Sequence, residues 1–412
     1  MKFYIDPGTG SMLFAIFIGI LGALNYLVRM AIVKIRFVLS GGKKGKLDDK
    51  KIPFVIFSDN KRYWTIFEPI CREFNNRGID VVYMTASPDD PVLNCEYEHI
   101  KGEFIGQNNM AFAKLNFLKA TIVFATTPGL DVYQWKRSKD VDYYVHILHA
   151  TGEVSLYRMF GIDYYDALLL SGEFQVQDVR KLEELRGLPA KEIYKVGIPY
   201  MDEMVKRLEN SPLTEEHERT VLLAPSWGAS AILGRFGGSI IEKLIETGYH
   251  IIIRPHPQSF DSEKEMLDKL MEKYPDSEQI EWNRDMDNFE VLKRSDILIS
   301  DFSGVTYEFA FVYDKPIIYT DVNFDKAPYD AWWLEDEIWT ASALPRIGME
   351  LTDDRMDSLK EMIDECIENP KYEKGRIEVR NEAWEHYGQG AVRVTDWLIN
   401  KYNELTEEKE NE

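Results

Sequence analysis

Four short stretches of the 412-residue chain place a group that can move a proton or meet a phosphate beside residues that fix the local backbone. In Leu148-His149-Ala150-Thr151-Gly152-Glu153, a run of aromatic and β-branched residues ends in an imidazole and a hydroxyl. His149 is a candidate general base, because imidazole titrates near neutral pH and can take the proton of an attacking hydroxyl; a histidine satisfied by a backbone carbonyl is the structural alternative. His146, inside the same apolar run, is read as structural. In Arg254-Pro255-His256-Pro257, two prolines hold the backbone around an imidazole next to a guanidinium, whose fork matches phosphate oxygens. Ser300-Asp301-Phe302-Ser303-Gly304-Val305-Thr306 places small residues where backbone N–H groups could cradle a phosphate at a helix start, or where Asp301 or Ser303 could simply cap that helix. Ala224-Pro225-Ser226-Trp227-Gly228 offers an indole that could wall a base or sugar pocket or belong to the core.

Each stretch follows a short apolar run, and in open α/β sheets ligands bind beyond the carboxyl ends of strands. The runs PFVIF, DVVYMTA, ATIVFATT, YYVHILHA and YDALLLSG alternate with amphipathic stretches such as WTIFEPICREFNNRG and VQDVRKLEELRG. A second series begins near Ser211 and Pro212, with TVLLAPS, YHIIIRPHP, DILISD and KPIIYT separated by helical segments. Alternation of this kind predicts two parallel sheets covered by helices. The tail from Glu373 is helical and ends in the acidic TEEKENE.

Composition narrows the function. A formal net charge of −21 with 49 Lys and Arg against 70 Asp and Glu disfavours nucleic acid as a partner. Three scattered cysteines, Cys71, Cys95 and Cys366, build neither a disulfide framework nor a zinc site, and suit a reducing compartment. There is no HExxH, P-loop or GxGxxG, which removes the usual support for zinc hydrolysis, NTPase action and dinucleotide redox chemistry.

The N-terminus reads differently. Met12 to Val28, MLFAIFIGILGALNYLV, is close to the minimum length for a bilayer span, and Arg29, Lys34, Arg36, Lys43, Lys44 and Lys46 follow it. A secretory signal or a buried core helix competes, but Lys2 is offset by Asp6 and no small-residue cleavage site follows. The pattern therefore predicts one transmembrane helix with the N-terminus outside and everything after Lys46 in the cytoplasm. The expected fold class is α/β, two Rossmann-like domains preceded by that helix. The expected division is an anchor over 1–40, a basic juxtamembrane linker over 41–52, an N-terminal domain over 53–210, a C-terminal domain over 211–372, and closing helices with an acidic tail over 373–412.

In their order and spacing the four stretches resemble the CDP-glycerol glycerophosphotransferase family, the teichoic-acid primases and polymerases with a GT-B-like fold. APSW, RPHP, SDFSGVTYEFA and KPIIY match the family's second half; His149-Ala150-Thr151 matches its His-Gly-Thr, and Gly197-Ile198-Pro199-Tyr200-Met201-Asp202 its Gly-x-Pro-x-x-Asp. Two departures stand out: Ala150 replaces the glycine beside the histidine, and Gly304 replaces the second serine at the helix start.

The resemblance implies a transferase that moves glycerol phosphate or a related polyol phosphate from a CDP-activated donor to a membrane-linked acceptor. His149 would be the base and His256 the second catalytic residue. Thr151, Ser226, Trp227, Arg254, Ser300, Asp301, Ser303, Gly304 and Glu308 would bind substrate. No cofactor and no metal ligand set are expected; the nucleotide-activated donor, the acceptor and the membrane are the expected partners. A glycosyltransferase using a sugar nucleotide, and a noncatalytic anchored nucleotide-binding protein, are the rival readings, since fold does not dictate chemistry.

Overall fold

In the computed structural model, which describes residues 51–212, 217–285, 287–320 and 326–411, the apolar runs form two all-parallel sheets. The first has the order β3-β2-β1-β4-β5-β6-β7, with β1 at Ile52–Ser58, β2 at Val81–Thr85, β3 at Ile100–Phe104, β4 at Ala120–Ala125, β5 at Val141–Ile147, β6 at Ala167–Leu170 and β7 at Glu192–Lys195. The second has the order β10-β9-β8-β11-β12-β13, with β8 at Thr220–Leu223, β9 at His250–Ile253, β10 at Ile280–Trp282, β11 at Ile297–Ser300, β12 at Ile317–Thr320 and β13 at Gly348–Leu351. Central strands such as ATIVFA, TVLL and ILIS are buried along their whole length, as a sheet covered on both faces requires. In each sheet the strand order reverses once, between β1 and β4 and between β8 and β11, and these switch points open the crevices where ligands bind.

The helices are amphipathic and bury one stripe each. Trp64–Asn76 turns Ile66, Phe67, Ile70, Cys71 and Phe74 onto the first sheet, where Val394, Trp397 and Leu398 of the last helix, Gly390–Asn411, join the same core. The chain end therefore crosses back from the second sheet to the first.

The hinge of that return is Asp202 in the Pro199–Glu209 helix. Its buried carboxylate accepts the Trp384 indole N–H at 3.1 Å and the backbone N–H groups of Gly388 and Gly390, each at 2.7 Å. Gly197, at φ +86°, lies so close to the crossing chain that a Cβ would stand 2.5 Å from the Glu385 carbonyl oxygen. The Gly-x-Pro-x-x-Asp motif is thus a clasp. Asp202→Ala leaves three N–H groups without an acceptor and is expected to cost about 2–4 kcal/mol in denaturant unfolding; a loss below about 0.5 kcal/mol, within the scatter of surface substitutions, would show the clasp to be dispensable.

The transmembrane helix expected over 12–28 requires correction. No helix among the described residues is long and apolar enough to cross a membrane. The longest, Gly390–Asn411, carries charges along its length and spends its apolar stripe on the first sheet. Residues 1–50 lie outside the described residues. Among the described residues the fold class is therefore two Rossmann-like α/β sheets with no helix able to span a membrane, and the single-pass membrane location is withdrawn.

Candidate active site

Histidine 149 follows β5, half-buried, with its ring between two tyrosines: the centroids of Tyr63 and Tyr157 lie 5.1 and 5.4 Å from its own. Its Nδ1 is 3.1 Å from the Tyr157 hydroxyl. Burial pushes the imidazole down to about 4; the Thr126 carbonyl opposes that shift and the Arg62 charge adds to it. His149 is therefore neutral at physiological pH, as a base must be.

Histidine 256 sits after β9, where the backbone turns so that the Gln258 N–H donates to its Nδ1 at 3.1 Å. A nitrogen that accepts a hydrogen bond carries no proton, so the neutral ring keeps its proton on Nε2. Burial, helped by Arg62, holds this histidine down at about 4 as well. Two residues earlier, the Arg254 guanidinium donates to Asn283 Oδ1 and lies in the field of Asp285, Glu308 and Asp287.

Asp301 spans the switch point of the second sheet. Its buried carboxylate accepts the Ser226 N–H at 2.9 Å and the Ile232 N–H at 3.1 Å, and burial pushes it up to about 6. The fully buried Ser300 hydroxyl donates to the Ala224 carbonyl at 2.7 Å, tying β11 to the end of β8. These two side chains are engaged within the protein and shape the loop that carries Ser303 and Gly304. Trp227 is 42% exposed, which removes the core reading for this indole. Lys315 of KPIIY donates to the carbonyls of Lys293 at 2.5 Å and Ser295 at 2.7 Å and closes the Phe289–Arg294 helix rather than facing a ligand.

The two halves meet at these motifs. A Cβ on Gly304 would stand 3.4 Å from the Ala150 Cβ and 3.8 Å from the Thr151 carbonyl oxygen, which puts the start of the Val305–Val312 helix against the residue after His149. Thr151 is buried, with Oγ1 3.3 Å from the Tyr200 hydroxyl. Tyr200 hydrogen-bonds onward to Glu308, whose carboxylate also accepts from Asn288 and is pushed up to about 7 by burial. Glu153 completes the seam: buried, it accepts the Thr340 N–H at 2.9 Å and the Thr340 hydroxyl at 2.8 Å.

Both departures from the family motif thus fall on one contact. The motifs that this sequence resembles have glycine and then serine where this chain has alanine and then glycine, so the small side chain stands on the opposite wall here. A Cβ at 304 reaches only ordinary van der Waals contact with Ala150, so it is the added hydroxyl of Gly304→Ser that should press on Ala150 and slow turnover about fivefold, and Ala150→Gly in that background should restore it, a coupling of about 1 kcal/mol. Equal rates in the single and double variants would show that the two positions are independent.

Arg62 escaped the sequence reading. It lies in the turn after β1, beside the first switch point, with its guanidinium 5.4 Å from the Tyr63 ring centroid. It is exposed, no described carboxylate pairs with it, and its field reaches Asp59, His149 and His256. SDNKRYW is readable as the end of a strand, but only the strand order puts that turn at the switch point of the first sheet.

The profile of the family described as CDP-Glycerol:Poly(glycerophosphate) glycerophosphotransferase matches residues 163–396. No curated protein sequence matches. Among solved structures, the wall teichoic acid polymerase TagF, in a variant soaked with CDPG, superposes with a TM-score of 0.54 at 15% identity over 94% of this chain and 98% of its own. MnaA of S. aureus with UDP gives 0.56 at 12% identity over 86% and 98%, and the UDP-GlcNAc 2-epimerase of Neisseria meningitidis bound to UDP-GlcNAc gives 0.52 at 13% over 85% and 100%. At such identities the structures establish the GT-B-like fold alone, whereas the profile covers more than half of the sequence, including the RPHP and SDFSG motifs. The chain belongs to the CDP-glycerol:poly(glycerophosphate) glycerophosphotransferase family and is a transferase of that type.

Proposed function

We propose that this transferase moves glycerol phosphate, or a related polyol phosphate, from a CDP-activated donor to the hydroxyl end of a polymer acceptor and releases CMP. The observation that carries this reading is the contact of Ala150 with the Gly304 position, which puts the base candidate of one half beside the helix start of the other that is the candidate phosphate cradle. In the reaction, the acceptor oxygen forms a bond to the phosphorus that bears the polyol, and the bond from that phosphorus to the oxygen bridging to CMP breaks. The hydroxyl proton passes to His149, and CMP departs with the bridging oxygen and its electron pair. His256, neutral and protonated on Nε2, donates to a phosphate oxygen; Arg254 and Arg62 supply positive charge, and the N–H groups near Ser303 and Gly304 receive the remaining oxygens. Trp227 is exposed beside this end of the sheet, where it can flank the nucleotide.

The test is the nucleotide released. The protein is incubated with acceptor and, in turn, with CDP-glycerol, CDP-ribitol and common sugar nucleotides. CMP from a CDP-polyol is expected. UDP or GDP released with sugar transfer would replace this reading by a glycosyltransferase, and binding without turnover of any donor would make the chain a nucleotide-binding protein.

A further inference from the structure

Behind His149 lies a chain of groups that the proposed chemistry has not used. The Tyr157 hydroxyl is 3.1 Å from His149 Nδ1 and 3.2 Å from Nε2 of His146. His146 is fully buried, with its ring 4.8 Å from that of Tyr165, and its Nδ1 has no hydrogen-bond partner. Such an arrangement costs stability, because a buried polar atom without a partner forfeits its hydration, and apolar side chains would fill the same space without that penalty. Tyr157 is fixed from the other half as well: its carbonyl accepts the Asp330 N–H at 2.8 Å, next to the Arg158–Tyr329 bridge.

We propose that Tyr157 and His146 are positioning residues that orient His149 and select its tautomer, doing with two uncharged groups what a carboxylate does in a hydrolase triad. An imidazole can take a proton on Nε2 only if its own proton sits on Nδ1. Nδ1–H of His149 then donates to the Tyr157 oxygen, and the Tyr157 hydroxyl donates to Nε2 of His146, which places the proton of His146 on its unpartnered Nδ1. The orphaned nitrogen is the cost of holding the chain in the direction that frees Nε2 of His149. No proton needs to travel along it during turnover: the acceptor proton stays on His149, where the bound diphosphate offsets its charge. An orienting group without charge leaves the base weakly basic until that anion arrives, which protects a site that must not be occupied by a permanent imidazolium.

This inference rests on His149 being the base, and the experiment separates the two ideas. CMP release from CDP-glycerol is measured for Tyr157→Phe, His146→Gln, His146→Leu, His149→Ala and the Tyr157→Phe/His149→Ala pair, with thermal unfolding recorded for each. Expected is a fall in kcat of about 10–100-fold for Tyr157→Phe with KM for CDP-glycerol within about twofold, and no further loss when it is added to His149→Ala, because groups acting as one unit are not additive. Glutamine at 146 can still accept from Tyr157 and should keep most of the turnover; leucine cannot and should resemble Tyr157→Phe. Full activity in both Tyr157→Phe and His146→Leu, with His149→Ala inactive, would overturn the positioning role and leave the base standing. Additive losses in the pair would overturn it too. An active His149→Ala would remove the base itself. If Tyr157→Phe fails to fold, the glutamine and leucine variants decide the matter.

Discussion

Alanine at position 149 is expected to lower CMP release by about 10²–10⁴-fold, the range for loss of a positioned acid–base group, with a much smaller change in KM for the donor. The effect should be on turnover because, in the proposed reaction, His149 acts on the acceptor hydroxyl from the end of β5, while most of the proposed donor-binding groups lie on the second sheet. A pH profile adds an independent check. His149 is held down at about 4 in the free protein, against an ordinary 6.5. The protonated ring cannot accept a proton, so kcat/KM rises with pH through that value, and the acid limb should fall near pH 4 rather than near 6.5. Bound diphosphate raises the imidazole, so the limb of kcat should lie above that of kcat/KM. Losses under about tenfold, together with an acid limb unmoved from 6.5, would return His149 to the structural alternative of a satisfied histidine.

His256→Ala should produce the second large loss, about 10²–10³-fold in kcat, as found for removal of one preorganised donor to a developing oxyanion. Here KM for the donor should rise as well, since His256, Arg254 and the Ser303–Gly304 loop belong to one half of the cleft. The fixed tautomer makes the expectation sharper. With Nδ1 accepting from Gln258 and Nε2 carrying the proton, the required group is an uncharged N–H at that reach, so His256→Gln should recover part of the rate and His256→Lys should not. Equal activity in alanine and glutamine variants would show that no hydrogen bond from this position matters. Near-normal turnover in the alanine variant would remove His256 from the machinery.

The Lys315 and Asp202 interactions show that residues of a motif can also hold the fold together. Both belong to stretches quoted for the family resemblance, yet Lys315 closes a helix and Asp202 clasps the returning chain. Ser300 and Asp301, counted with the substrate-binding residues on sequence grounds, spend their polar atoms on Ala224, Ser226 and Ile232. The spacing of a motif can reflect any backbone group that must be satisfied, and a sequence does not say whether the partner is a ligand or the chain itself.

Local pattern alone determined that this chain forms two parallel α/β sheets, because a strand buried on both faces needs a continuous apolar run and a crossover helix needs one apolar stripe, and both are written in adjacent residues. The positions of His149, Arg254, His256 and Ser303 after those strands followed from the same pattern. The tertiary structure alone decided what depends on strand order and on contacts between distant residues. Arg62 became a cleft residue only because β1 lies beside β4, and Tyr157 became a partner of two histidines only because its loop folds back under β5. The exchange of bulk between Ala150 and Gly304 joins positions 154 residues apart (304 − 150), and the last helix chose the first sheet over the second. Residues 12–28, whose hydropathy suggests a span, lie outside the described residues, and among the described residues the one helix of sufficient length is amphipathic and packed on protein. Periodicity reports which face of an element is buried; what buries it is settled by the rest of the chain.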